Sequence, residues 1–470
     1  MRPRLRKRKS PFISLTKSLG MAMSHPAAWL TLAIVLNVLE GAVRKWVPGF
    51  GEGPGRILAY FSKDVFFLLA VAVGLGQPMN RPRPALEAVI GWGILALGLI
   101  VSGGGLSYFF GFNPVGTVLS LRAMVILPCA AFLFASHRKR FPLMGFAVAA
   151  ALLAMLNGPL ALLQSGMPAD HIINKYAAGE AVVVEVAAGV RATGTFAYIT
   201  GLGVASSLGL WAGMVIISLA QNKKQRTFGA LAVLAGFACA FASISRGSFV
   251  VAVAMLTVWA LGGGRARAIL LQSALLVCVV LGIGLLVFPN LADRFVRVAE
   301  GTIDRFETAG DSNMTRTFGQ WAEMQDAVTL HPLGTGLGSE QVGGNFAAKG
   351  TAGFTTYETQ LPRIVAEFGL VGLLGFFAMG IATLYGLQCT RQTSNPSWNL
   401  VVTATQLFAI SQLYSGVVYN HSASAAVWIV IAAVLGASPV PPAQLSKRNT
   451  DRKMAKSYQA SESTNQDEPL

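Results

Sequence analysis

Apolar runs of membrane-spanning length alternate with short polar connections along most of the chain, and the pattern breaks twice. The runs lie near 26–42, 57–76, 85–101, 117–135, 141–163, 197–219, 228–243, 246–262, 267–288, 361–387, 399–416 and 420–437. A helix needs ~17–25 mostly apolar residues to cross a bilayer, so about twelve spans are expected. The first break is Ser243-Ile244-Ser245-Arg246-Gly247-Ser248, inside a stretch otherwise apolar from Phe228 to Leu261. The second starts at Phe288-Pro289-Asn290, where about seventy mixed polar residues precede renewed apolar sequence near Leu361.

The pattern predicts an all-α polytopic membrane protein with a large external loop between spans nine and ten. Residues 1–288 would hold spans one to nine behind a basic N-terminus, and 289–360 the loop. Residues 361–437 would hold spans ten to twelve, and 438–470 a disordered cytoplasmic tail. Composition agrees. Of 470 residues, 53% are hydrophobic and 12% charged, about half the charge fraction of a soluble domain.

Charge placement predicts orientation. With the basic N-terminus in the cytoplasm and the spans alternating, the inside connections hold Arg81 and Arg83, His137 to Arg140, Lys223, Lys224 and Arg226, Arg265 and Arg267, and Arg391. Each is positive, as cytoplasmic loops are. The net charge of +16 then reflects orientation and attraction to anionic inner-leaflet lipid. Nucleic-acid binding would need a soluble basic module, which is absent. The four cysteines have neither metal-ligand spacing nor a disulfide framework.

Against that bias, Lys63, Arg122, Arg191, Arg246, Arg316 and Arg363 all fall on the external side. Guanidinium forks match phosphate oxygens, so this set suits a diphosphate or another anion. Lys63 adjoins Asp64; either the two neutralise each other or the lysine faces an anionic ligand. Arg44 and Lys45 beside Trp46 read as interfacial anchors, and His171 as a solvated loop residue. If Gly247-Ser248 opens a helix, its free amides and dipole add to the pull of Arg246 on an anion.

The external segment has a pattern of its own. Phe318, Trp321, Met324 and Ala327 recur at helical spacing, and His331-Pro332 ends the helix. Gly334, Gly336 and Gly338 then make either a phosphate cradle or a simple turn; the lysine–hydroxyl ending of a nucleotide loop is missing. Arg363 and Glu367, four apart, are placed to pair on one helix face, and Glu367 reads as structural. Glu358, just before span ten, is the better placed for proton transfer.

These residues resemble a family. Ser245-Arg246-Gly247, an arginine ahead of an aromatic helix, His331-Pro-Leu-Gly-Thr-Gly-Leu-Gly and Glu367-Phe-Gly-Leu-Val-Gly are similar to the O-antigen ligase and O-antigen (Wzy-type) polymerase superfamily. The resemblance implies a GT-C-like fold and an inverting glycan transferase that uses neither metal nor cofactor. Its donor would be an undecaprenyl-diphosphate-linked glycan and its acceptor a glycan or lipid, in the bacterial inner membrane with both termini cytoplasmic; a chain-length regulator is a candidate partner. Arg246 and Arg316 match the substrate-binding arginines of the ligases. Glu358 stands where the ligases carry a histidine, ahead of Gly369-Leu-Val-Gly. His331 belongs to a separate element and is a further candidate, as is Arg363. The departure at Glu358 favours a polymerase of lipid-linked repeat units over a ligase. A transporter is the competing class, but it would show repeat symmetry between halves, and no internal repeat is present.

Overall fold

The computed structural model describes residues 25–51, 53–76, 84–135, 142–176, 185–186, 189–197, 199–262, 296, 299–300, 303, 321–341, 357, 359–392, 395–415 and 421–437. In chain order the helices are α1 (Pro26–Trp46), α2 (Gly53–Leu75), α3 (Pro84–Tyr108), α4 (Pro114–Leu121) and α5 (Leu127–Ala135). Then follow α6 (Leu143–Ser165), α7 (Ile199–Leu219), α8 (Lys223–Ala242), α9 (Arg246–Leu261), α10 (Gln360–Cys389), α11 (Pro396–Ser415) and α12 (His421–Ala437). Eight described helical segments are long and apolar enough to cross a membrane, α4 and α5 counting as one, with Arg246–Leu261 and Ala423–Ala437 as shorter apolar helices. The expected span at 267–288, most of the expected external loop and the tail lie outside the described residues. Among the described residues, the departure from all-α is a short antiparallel hairpin, β1 (Glu185–Val186) with β2 (Gly189–Val190).

Local chemistry starts the helices where the apolar runs begin. Asn113 caps α4 by accepting from Gly116 N–H at 3.1 Å, with Pro114 as first helical residue. Asn222 caps α8 through Gln225 N–H at 2.9 Å. Both satisfy amides a helix start leaves open. Fixed φ suits proline to the first position.

Helix packing follows the small residues. Among the described candidate spans α7 is the most enclosed, with 89% of its apolar window buried. Gly209 and Gly213 on α7 lie against Gly236 and Gly229 on α8, so close that a methyl group at any of them would strike backbone or side chain. Small residues let spans approach at this distance where lipid gives no hydrophobic drive. Trp211 of α7, fully buried, donates to Thr405 Oγ1 of α11 at 3.0 Å. α3 and α10 pack the same way, Gly375 against Ala96 and Ile100. Ile57, Leu58, Val65 and Leu68 on α2 and Trp92, Ile94 and Leu95 on α3 are exposed, an apolar surface that suits lipid.

Because successive helices reverse direction, one end of the bundle collects the C-terminal end of α1, the first half of α2 and the start of α4. It also collects the end of α6, the turn between α8 and α9, and the start of α10. Most of the buried charged side chains lie at this end.

Candidate functional site

Residues 331–341 form a latch across this end. A helix over residues 321–330 buries Ala327 and ends where His331 N–H reaches Ala327 O at 2.9 Å, one residue before Pro332. The chain then turns on Gly334, Gly336 and Gly338, with φ of 91°, 146° and 84°. Leu337 pairs with the α3–α4 connection: its N–H donates to Gly111 O at 3.0 Å and its carbonyl accepts from Asn113 N–H at 3.1 Å and Thr117 Oγ1 at 3.0 Å. On the other side the latch enters α10. Gly369 has φ 65° and ψ −172°, which breaks the helix. Leu370 N–H donates to Pro332 O at 2.8 Å, and Thr335 N–H to Ala366 O at 2.7 Å.

This bears on the two readings of the glycines. The amides of Gly334, Thr335, Leu337, Ser339, Glu340 and Gln341 all donate to protein oxygens. These six amides are therefore not open to a phosphate, which favours the reading of the glycines as a tight turn. The glycines provide left-handed backbone and close approach.

Behind the latch two carboxylates are buried. Glu367 is fully enclosed and accepts from Ser120 Oγ of α4 and, at 3.0 Å, from the N–H of Glu340. Gln341 Nε2 donates to Ser120 Oγ at 2.8 Å. The structural role expected of Glu367 therefore takes a different form: it ties α10, α4 and the latch together. Arg363, one turn before Glu367 and attracted to it electrostatically, also donates from Nε to Tyr357 O at 2.7 Å. The Tyr357 phenol is pushed up from its ordinary pKa by burial, reinforced by the charges of Glu340, Asp326 and Glu323. It stays a neutral hydroxyl. No sequence signal marked Glu340, beyond its place two residues after the last of three alternate glycines.

Two residues beyond Ser120, the opposite face of the same helix carries Arg122. Here the helix widens into a π turn over Arg122–Ile126, a feature often found at functional sites. Arg122 brings Nε and Nη2 to Asp64 Oδ1, 2.7 and 2.6 Å away. Lys63 pairs with Glu40 of α1, and its ammonium lies 4.5 Å from the Tyr60 ring centre. Glu40 also accepts from Arg44 at 3.2 Å. Lys63 and Asp64 thus do not neutralise each other. Each reaches a different element, and together they tie α2 to α1 and to the π turn that follows α4. Lys45, expected as an anchor, is buried and donates to Thr193 Oγ1 at 3.0 Å and Gly194 O at 2.6 Å.

The third part is built from irregular backbone buried within the protein, the condition under which it is tolerated at membrane depth. Gln164 Oε1 accepts from the N–H groups of Thr193 and Gly194 at 3.1 and 2.6 Å. Asn157 Oδ1 accepts from Thr195 N–H at 2.8 Å and its hydroxyl at 3.0 Å. Ala192 N–H donates to Ala242 O at 3.2 Å, which sets Arg191 beside the end of α8. Ser243–Ser245 make the turn, and Arg246, half-buried, begins α9 as expected. In that turn Ile244 is buried with φ 46°. A β-branched residue there is strained, as backbone at functional sites often is. His171 caps a short 3-10 turn, accepting from Ile173 N–H at 3.3 Å.

Of the expected site residues, Lys63 and Arg122 share one charged network, Arg191 and Arg246 flank the α8–α9 turn, His331 opens the latch, and Arg363 lies near the start of α10. Arg316 and Glu358 lie outside the described residues. Tyr357 and Thr359, on either side of Glu358, are held: Glu340 Oε2 accepts from Tyr357 N–H at 3.3 Å, and Thr359 Oγ1 donates to Glu323 Oε2 at 3.1 Å.

Residues 230–377 match the family described as O-Antigen ligase, the Wzy_C domain. The matched segment runs from α8 through the α8–α9 turn and the latch to the first half of α10, and it supports the O-antigen ligase and polymerase superfamily. No curated protein matches the chain.

Proposed function

Starting from that match, we propose that this membrane protein is a glycan transferase that polymerises lipid-diphosphate-linked oligosaccharide repeat units of a surface polysaccharide at the periplasmic face of the inner membrane. The observation that carries the reading is the presence of Arg246, the latch and the Glu358 position in one matched segment, with glutamate where ligases have histidine. Arg246 and Arg316, with Arg191 alongside, bind the donor diphosphate. Lys63 and Arg122 already have carboxylate partners and are assigned to holding α2 in place.

Glu358 takes the proton of the acceptor hydroxyl as its oxygen attacks the anomeric carbon. The new glycosidic bond forms as the bond from that carbon to phosphate oxygen breaks, with inversion. The lipid diphosphate leaves with the electron pair, and the arginines neutralise the charge developing on it. The diphosphate is already a good leaving group, so ATP is not needed.

Ligation is the second reading, favoured by the description of the matched family. Glycan profiles of a deletion strain separate the two. A polymerase mutant keeps single repeat units on their acceptor and loses long chains. A ligase mutant accumulates long chains on the lipid diphosphate. Unchanged profiles would refute both.

A further inference from the structure

The peptide unit of Tyr357 is gripped from two directions. Its N–H donates to Glu340 Oε2 at 3.3 Å, and its carbonyl accepts from Arg363 Nε at 2.7 Å. Glu340 is itself 1% exposed, with its own N–H fixed on Glu367 Oε1 at 3.0 Å. Glu367 is held in turn by Ser120, and Ser120 by Gln341, the residue after Glu340. A closed set of bonds thus runs from α4 through Glu367 and the latch to the residue that precedes position 358.

We propose that Glu340 is a positioning residue for transfer: it fixes the backbone at Tyr357, the sequence neighbour of Glu358, and acts through Tyr357 rather than on the substrate. The chemistry favours this over a solvated carboxylate. A buried carboxylate is costly unless its oxygens are bonded, and here one is spent on a backbone amide in an irregular segment. Such a bond constrains the chain. Arg363 completes the grip by holding the Tyr357 carbonyl. The latch glycines then acquire a function, because their left-handed turns deliver Glu340 to this point.

The proposal rests on Glu358 as the base, so its test carries a readout independent of turnover. Purified full-length protein is compared with Glu340→Ala, Glu340→Met and Glu340→Gln by hydrogen–deuterium exchange of the peptide containing Tyr357, together with kcat and KM for a lipid-diphosphate glycan donor. Losing the acceptor should speed exchange of that peptide by about tenfold, the equivalent of one hydrogen bond. It should lower kcat by about 10- to 100-fold, as slight misplacement does, with donor KM little changed. Glutamine retains an acceptor oxygen and should restore both. Met keeps the side-chain length where Ala fails to insert or fold. Unchanged exchange in Met or Ala overturns the grip whatever Glu358 does. Faster exchange with unchanged kcat overturns the positioning role. A Glu358→Gln enzyme of normal turnover would remove the catalytic reading while exchange still reported on the grip.

Discussion

Thr335 takes the carbonyl of Ala366, with its N–H at 2.7 Å and its hydroxyl at 3.2 Å, where an unbroken helix would give that carbonyl to Leu370. Leu370 turns its N–H to Pro332 instead. The latch is therefore inserted into the hydrogen-bond ladder of α10, and left-handed Gly369 makes the opening.

An alanine in the latch should break this arrangement. At Gly338 (φ 84°) a methyl group would meet the backbone of Gly116 and Thr117. The left-handed backbone alone costs an alanine about 1–2 kcal/mol, and the collision adds to it. Gly338→Ala should lower the unfolding temperature in detergent and reduce glycan transfer. Gly145→Ala, where a methyl group meets nothing, should be neutral or slightly stabilising. Equal unfolding temperatures for the two variants would contradict the latch.

The crossed pairs of α2 predict strong coupling. Lys63 and Glu40 are 2% and 7% exposed. Removing one partner leaves a buried charge, at a cost of about 3–5 kcal/mol. Lys63→Met and Glu40→Gln should each reduce folded yield sharply. The double variant should recover part of the loss, with a coupling above about 1 kcal/mol. Additive losses would mean that the two side chains act independently.

Much of the fold was legible, because bilayer thickness fixes run length and each connection carries a clear polar signal. The break at Arg246 and the stop at His331-Pro332 were legible for the same reason. Pairing was not. Lys63-Asp64 in sequence allows either mutual neutralisation or a lysine facing an anion, yet on a helix they point apart and find α1 and the π turn that follows α4. The π turn at Arg122 leaves no mark in an apolar run. Gln164 reads as an ordinary polar helix end, although its carboxamide holds two buried amides. The glycine loop was ambiguous because left-handed turns serve phosphate cradles and tight packing alike.

Orientation is open to direct labelling. In a variant lacking the native cysteines, a cysteine at Ile172, 70% exposed at the polar end, should react with a membrane-impermeant maleimide in intact spheroplasts. One at Lys224, in the opposite connection, should react only after permeabilisation. The reverse pattern would turn the protein over and remove the periplasmic site.

The central claim is transfer from a lipid diphosphate with Glu358 as base. The most direct measurement is single-turnover transfer by purified Glu358→Gln protein, with donor binding measured on the same preparation. The account predicts a loss of about 10²–10⁴-fold in rate, the usual contribution of a positioned base, with donor affinity unchanged. Transfer at the wild-type rate would contradict it.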